Sequence, residues 1–192
     1  MEPKFLKQIS EDNCHIFTLK KSLYKLEDNS EAERVTINSK DWVSAIVKLR
    51  NFAKEFVMVK QYRYGAEKEL VEFPCGIVEE GENPLQAILR ECEEEIGLKT
   101  EDIVSIKKLY EKSSNPAFMT NKMTCFFIEA DRINTDNSHP DKDENLEIVY
   151  LDSDEVERTI ETSPNANVMM SYGWELYKRK TNEESKNIGK LC

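Results

Sequence analysis

One stretch constrains this chain more than any other: a helix whose start and stop are both written in the sequence. Asn83 is a good N-cap, Pro84 suits the first helical position where its missing N–H is not needed, and Gly97 stands where a left-handed residue closes a helix, so a helix is predicted over residues 84–96. Within it Leu85, Ile88, Leu89, Cys92 and Ile96 recur every three or four residues and make one apolar stripe. Beside that stripe lie Glu91, Glu94 and Glu95, with Glu91 three and four residues before the other two. Like charges at those spacings cost about 0.2–0.5 kcal/mol a pair, and negative charge near a helix C-terminus also opposes the macrodipole. The cluster is either a solvated acidic face or a set of hard oxygen ligands that a divalent cation such as Mg²⁺ or Mn²⁺ selects.

The flanking segments supply a sheet. Runs rich in β-branched and aromatic residues predict strands at 42–49, 55–61, 70–73, 124–128 and 147–151, with the first two close enough to form a hairpin. Residues 15–26 and 33–37 suit a further hairpin outside this core. A second helix is predicted from near Asn165 through Val168, Met169, Tyr172, Leu176 and Tyr177, ending at the cationic Lys178, Arg179 and Lys180. The polar stretch 131–145 reads as a mobile loop. Strands and helices in this order imply an α+β or α/β sandwich, with residues 181–192 as a flexible tail.

Composition narrows the function classes. With 27 basic against 37 acidic residues the net charge is −10, which argues against a phosphate-neutralising nucleic-acid surface. No apolar run reaches membrane-spanning length, and the N-terminus lacks the pattern of a secretory signal, so a cytoplasmic location is expected. Five cysteines form no CxxC pair and read as reduced thiols.

Context decides between the two readings of the acidic helix. Gly76 is followed after five residues by Glu82, then after seven by Arg90-Glu91-Cys92-Glu93-Glu94-Glu95-Ile96-Gly97-Leu98. This resembles the Nudix hydrolase signature at every fixed position, with Cys92 at a site usually aliphatic. The resemblance implies an α+β fold, the α/β/α sandwich of Nudix proteins with a mixed sheet, as a main domain over residues 41–180 with a β-hairpin extension over residues 1–40; it also implies Mg²⁺ (or Mn²⁺) as cofactor and metal ligands at Glu91, Glu94, Glu95 and the carbonyl of Cys75. It also implies an ion pair between Glu82 and Arg90 that fixes loop to helix. Gly76 would let the chain turn sharply and bring that carbonyl close. The implied reaction is hydrolysis of a nucleoside diphosphate linked to another group, with Glu94 and Glu95 among the catalytic residues.

Residues 59–65 and 71–76 are similar to the corresponding segments of ADP-ribose pyrophosphatases. This implies that Arg63 and Glu72 contact substrate, and that Pro116, in the Asn115-Pro116-Ala117 turn, belongs to the loop that distinguishes ADP-ribose hydrolases. The same resemblance puts the general base in the acidic loop before the last strand. Glu144 is the expected base, with Asp143 and Glu147 as rivals. Trp42, Tyr62, Tyr64 and Phe118 could stack on adenine. The N-terminal extension would serve a homodimer. The function so implied is Mg²⁺-dependent cleavage of ADP-ribose to AMP and ribose 5-phosphate. Its rivals are a hydrolase of GDP-mannose or UDP-glucose type and a non-catalytic nucleotide sensor.

Overall fold

The structure, a computed structural model, describes residues 2–140, 145–164 and 166–188, with side chains as far as Thr181. The chain divides into two compact units: residues 1–41 with 112–123, and residues 42–111 with 124–192.

The first unit is built on an antiparallel meander of β1 (Lys4–Asn13), β2 (Phe17–Lys25) and β3 (Glu31–Ser39), in that spatial order. The strands β2 and β3 correspond to the expected hairpin. β1 carries no apolar alternation and is exposed along its whole length, so it left no signal in the sequence. Residues 118–120 run beside β3, where the Ile37 N–H donates to the Phe118 carbonyl (2.7 Å) and the Thr120 N–H to the Ile37 carbonyl (3.0 Å).

The second unit holds the larger sheet. Its strands are β4 (Trp42–Leu49), β5 (Phe56–Arg63), β6 (Lys68–Glu72), β7 (Cys75–Ile77), β8 (Ile103–Ser113), β9 (Lys122–Ala130) and β10 (Glu147–Leu151). The main path runs β10-β5-β4-β9-β8, with β6 on β5 and β7 on β4. The helices are α1 (Pro84–Ile96), α2 (Ser153–Thr162) and α3 (Val168–Ile188).

Strand alternation explains the layering. Val43, Ala45, Val47 and Leu49 on β4, with Val57 and Val59 on β5, share one core with Ala87, Ile88, Cys92 and Ile96 of α1. The opposite face takes α3: Trp174 meets Phe56 edge-on at 5.0 Å, Tyr177 meets Phe127 at 4.9 Å, and the Trp174 indole N–H donates to Glu157 of α2 at 2.9 Å. A strand covered on both faces loses the polar half of its alternation, which is why residues 43–47 are all buried.

Several expectations change. Leu85 is 41% exposed, and the buried face of the helix instead takes in Ala87 beside Ile88, Cys92 and Ile96. α3 continues to Ile188, past Lys178, whose ammonium is held between Glu157 (2.5 Å) and Glu175 (2.7 Å) rather than marking a helix end. Residues 131–140 are tied down by hydrogen bonds rather than forming a loose loop. Among the described residues no helix is long and apolar enough to cross a membrane.

Candidate active site

The site is organised by α1. The Asn83 side chain accepts from the backbone of Leu85 and Gln86 (3.0 Å each), and the Gln86 side chain accepts from the Asn83 N–H, a complete capping box. At the other end Gly97 adopts φ 68° and its N–H reaches the carbonyls of Cys92 and Glu93. These two caps fix the register that sends Glu91, Glu94 and Glu95 toward β7.

Arg90 gathers the acids. Its Nε donates to Glu82 at 2.9 Å, its Nη1 to Glu91 at 2.8 Å and to Glu94 at 2.9 Å, and its Nη2 to the Ile77 carbonyl at 3.0 Å. Hydrogen bonding from Glu82, followed by the charge of Glu91, pushes its pKa further up, so it is a permanent cation. The expected Glu82–Arg90 pair is present, and the same guanidinium also binds two of the three candidate ligands.

Glu95 lies deeper, at 2% exposure, and its carboxylate accepts the Cys75 N–H at 3.0 Å. Next to it Arg63 donates to Glu72 at 2.6 Å and to the Cys75 sulfur at 3.3 Å. Burial, reinforced by the negative charge of Glu95, pushes the Cys75 thiol up and keeps it neutral. Arg63, Glu72 and Glu95 therefore stand in one network with Cys75 between them. Cys75 engages this network through its N–H and its sulfur.

Gly76 has a different role from the turn expected of it. It sits inside β7, paired with Val43, and does not occupy the left-handed region. A Cβ there would stand 2.0 Å from the Glu91 carboxyl carbon. The glycine lets the Glu91 carboxyl group lie directly on the strand backbone; a side chain there would push that carboxyl group aside.

The donor set fits a hard divalent cation. Glu72, Glu82, Glu91, Glu94 and Glu95 bring five carboxylates, the hard oxygen donors such a cation selects, into one network with Arg63 and Arg90. Among the described residues no three ligand groups already converge at coordinating spacing, since Glu91 and Glu94 turn to Arg90 and Glu95 to Cys75.

Pro116 belongs to the first unit, in a turn where the Asn115 carbonyl accepts from Phe118 (3.2 Å) and Met119 (2.8 Å). Glu144 and Asp143 fall outside the described residues. Glu147 sits on β10 with its carboxylate 3.3 Å from Lys60. Tyr62 and Tyr64 are exposed and meet edge-on at 5.3 Å, flanking Arg63, whereas Trp42 is half-buried on β4. Sequence reasoning missed Ser138, which bonds to the end of α1 and lies in a stretch with no motif.

A NUDIX domain match spans residues 40–172, which takes in the whole network just described. The chain belongs to the Nudix family. It is 30% identical to the ADP-ribose pyrophosphatase of Bacillus subtilis (strain 168) over 108 residues, 56% of this chain and 57% of that one. It is 32% identical to the methanol dehydrogenase activator of Bacillus methanolicus over 111 residues, 58% of each. The chain thus spans a little over half the length of these two relatives. A crystal structure of an ADP compounds hydrolase superposes with a TM-score of 0.78 over 96% of both chains at 15% identity, a likeness of fold.

Proposed function

We propose that this protein is a Nudix hydrolase that cleaves the diphosphate bond of ADP-ribose, giving AMP and ribose 5-phosphate. The observation that carries the reading is the Glu91–Glu94–Glu95 cluster seated on the Gly76–Cys75 backbone and collared by Arg90. The similarity to the ADP-ribose pyrophosphatase of B. subtilis supports the choice of substrate over other nucleoside diphosphates.

In this proposal Glu91, Glu94, Glu95 and the Cys75 carbonyl hold Mg²⁺, or Mn²⁺ in its place. Such a cation, when bound, neutralises phosphate oxygens and lowers the pKa of water. The chain's own residues do the rest. Glu82 holds Arg90, and Arg90 keeps the acids of two helical turns together. Arg63, freed from Glu72, offers a planar fork to the diphosphate. Glu72 then accepts from substrate hydroxyls, Pro116 shapes the loop that selects the sugar, and Glu144 removes the proton from the attacking water. A cytoplasmic homodimer built on the β1–β3 sheet completes the proposal. Its support is the apolar surface that sheet leaves exposed at Phe5, Leu6, Ile9 and Val35.

The test is a substrate panel. Purified protein with Mg²⁺ and, separately, ADP-ribose, NADH, GDP-mannose, UDP-glucose and diadenosine polyphosphates should turn over ADP-ribose fastest, each reaction followed by its own phosphate-bearing products, which for ADP-ribose are AMP and ribose 5-phosphate. Equal inertness toward all of them would overturn the enzymatic reading and favour a sensor.

A further inference from the structure

The C-terminal end of α1 poses an electrostatic problem that its own residues do not solve. Its last turn holds no basic residue, yet the negative end of the helix dipole lies beside Glu91, Glu94 and Glu95. The carbonyls of Cys92 and Glu93 are satisfied by the N–H groups of Leu98 and Gly97. Those of Glu94 and Glu95 reach past the cap, to a strap formed by residues 131–140. The Ser138 hydroxyl lies 3.1 Å from the Glu94 carbonyl and 2.9 Å from that of Glu95, its one proton shared between them. The His139 N–H donates to the Glu94 carbonyl at 2.8 Å, and the Asn134 N–H to the Gly97 carbonyl at 3.2 Å.

The strap is held closely. A Cβ on Gly97 would lie 2.0 Å from the Asn134 carbonyl oxygen and 3.3 Å from the Ser138 nitrogen, so glycine is required there for contact as well as for its positive φ. At its start the strap is anchored by Arg132 to Asp102 (2.9 Å), and by Asp131, whose side chain pairs with Arg50 and whose N–H donates to the Asp102 carbonyl (2.9 Å).

We infer that Ser138 is a positioning residue for the acidic helix, setting the backbone of Glu94 and Glu95 so that their carboxylates address a cation together. This rests on the functional reading above. The choice of donor is what makes the role specific. A lysine or arginine at this helix end would satisfy the same carbonyls, but its charge would compete for the carboxylates. A hydroxyl and a backbone N–H satisfy the carbonyls and add no cation to the one, Arg90, that already bonds to Glu91 and Glu94.

The test uses the full chain and Mn²⁺ alone as probe, with free Mn²⁺ followed by electron paramagnetic resonance in the absence of nucleotide. Ser138→Ala should bind Mn²⁺ about tenfold more weakly and lower kcat by about the same factor, with KM for the diphosphate within about twofold of wild type. Ser138→Thr should restore both, and Ser138→Cys, with its weaker donor, should fall between. That ordering can be read even where the alanine variant does not fold. Val156→Ala removes core volume away from the strap and supplies a control of lowered Tm, in which Mn²⁺ affinity should be unchanged. If Ser138→Ala and Ser138→Cys keep wild-type Mn²⁺ affinity and kcat, or lose no more than Val156→Ala, the serine is an ordinary cap and the inference is wrong. If wild-type protein neither binds Mn²⁺ nor hydrolyses any diphosphate of the panel, the functional reading itself falls, and this inference with it.

Discussion

Glu95 and Glu91 share a helix and a charge but not an environment. Glu95 is buried and accepts a backbone N–H, whereas Glu91 lies against the Gly76 backbone within reach of Arg90. Removing the charge of Glu95 while keeping its shape isolates the electrostatic part of its role. Glu95→Gln should lower turnover of the diphosphate substrate by at least about a hundredfold, the upper end of what losing a supporting residue of a metal site costs, with circular dichroism and Tm near wild type. Near-normal turnover would remove Glu95 from the site. At this scale the sequence was legible wherever chemistry demanded a spacing. The spacing of the acids of α1 and the Glu82–Arg90 pair could be read, whereas the glycine at 76 could be singled out but not its place inside β7. Ser138 could not, because a hydroxyl that bonds to carbonyls of a distant helix leaves no periodicity and no paired charge in its own segment.

Among the elements, α1 was predicted to the residue, since N-cap, N1 proline and C-terminal glycine are local signals that tertiary packing did not override. β1 and β8 were missed. Every residue of β1 is exposed and most of β8 is polar, so neither presents the alternation by which a strand is recognised. α2 was missed too, although Asp152 and Glu155 spell a capping box whose two bonds are 2.8 and 2.9 Å. A single buried residue, Val156, was too little apolar signal to draw attention to it. The doubly constrained end of α1 yields a prediction at this scale. Gly97→Ala combines a left-handed φ, worth about 1–2 kcal/mol for an L-residue, with overlap onto the Asn134 carbonyl. It should lower Tm by at least about 4 °C and weaken Mn²⁺ binding, whereas Asn83→Ala, costing about 1 kcal/mol at the far end, should lower Tm alone. Calorimetry paired with the Mn²⁺ titration separates the two.

For the molecule as a whole, burial of weak acids sets a pH limit. Cys125 is pushed up to about 12 by burial, Tyr177 to about 12 by burial and then by the charges of Glu55 and Glu129, and Cys92 well above its ordinary value by burial. All three are neutral in the folded protein and would ionise earlier in an unfolded chain. The contribution of the two cysteines is therefore intact below about pH 8.5 and that of Tyr177 below about pH 10, and each is lost as pH rises from there toward the raised folded value, at about 1.4 kcal/mol per pH unit for a group within its window. Urea midpoints measured from pH 7 upward should decline on the alkaline side, and replacing Cys125 by Ala should flatten that decline although it lowers the midpoint at pH 7. A midpoint independent of pH up to 11 would contradict this account.

The strand from Trp42 to Leu49 is walled in by α1 on one side and by α3 on the other. Solvent can reach its amides only when one of those two helices lifts away. In deuterium oxide these should be among the last protons of the protein to exchange, and the rate at which they do so measures how often the scaffold beneath Glu91 and Glu95 comes apart.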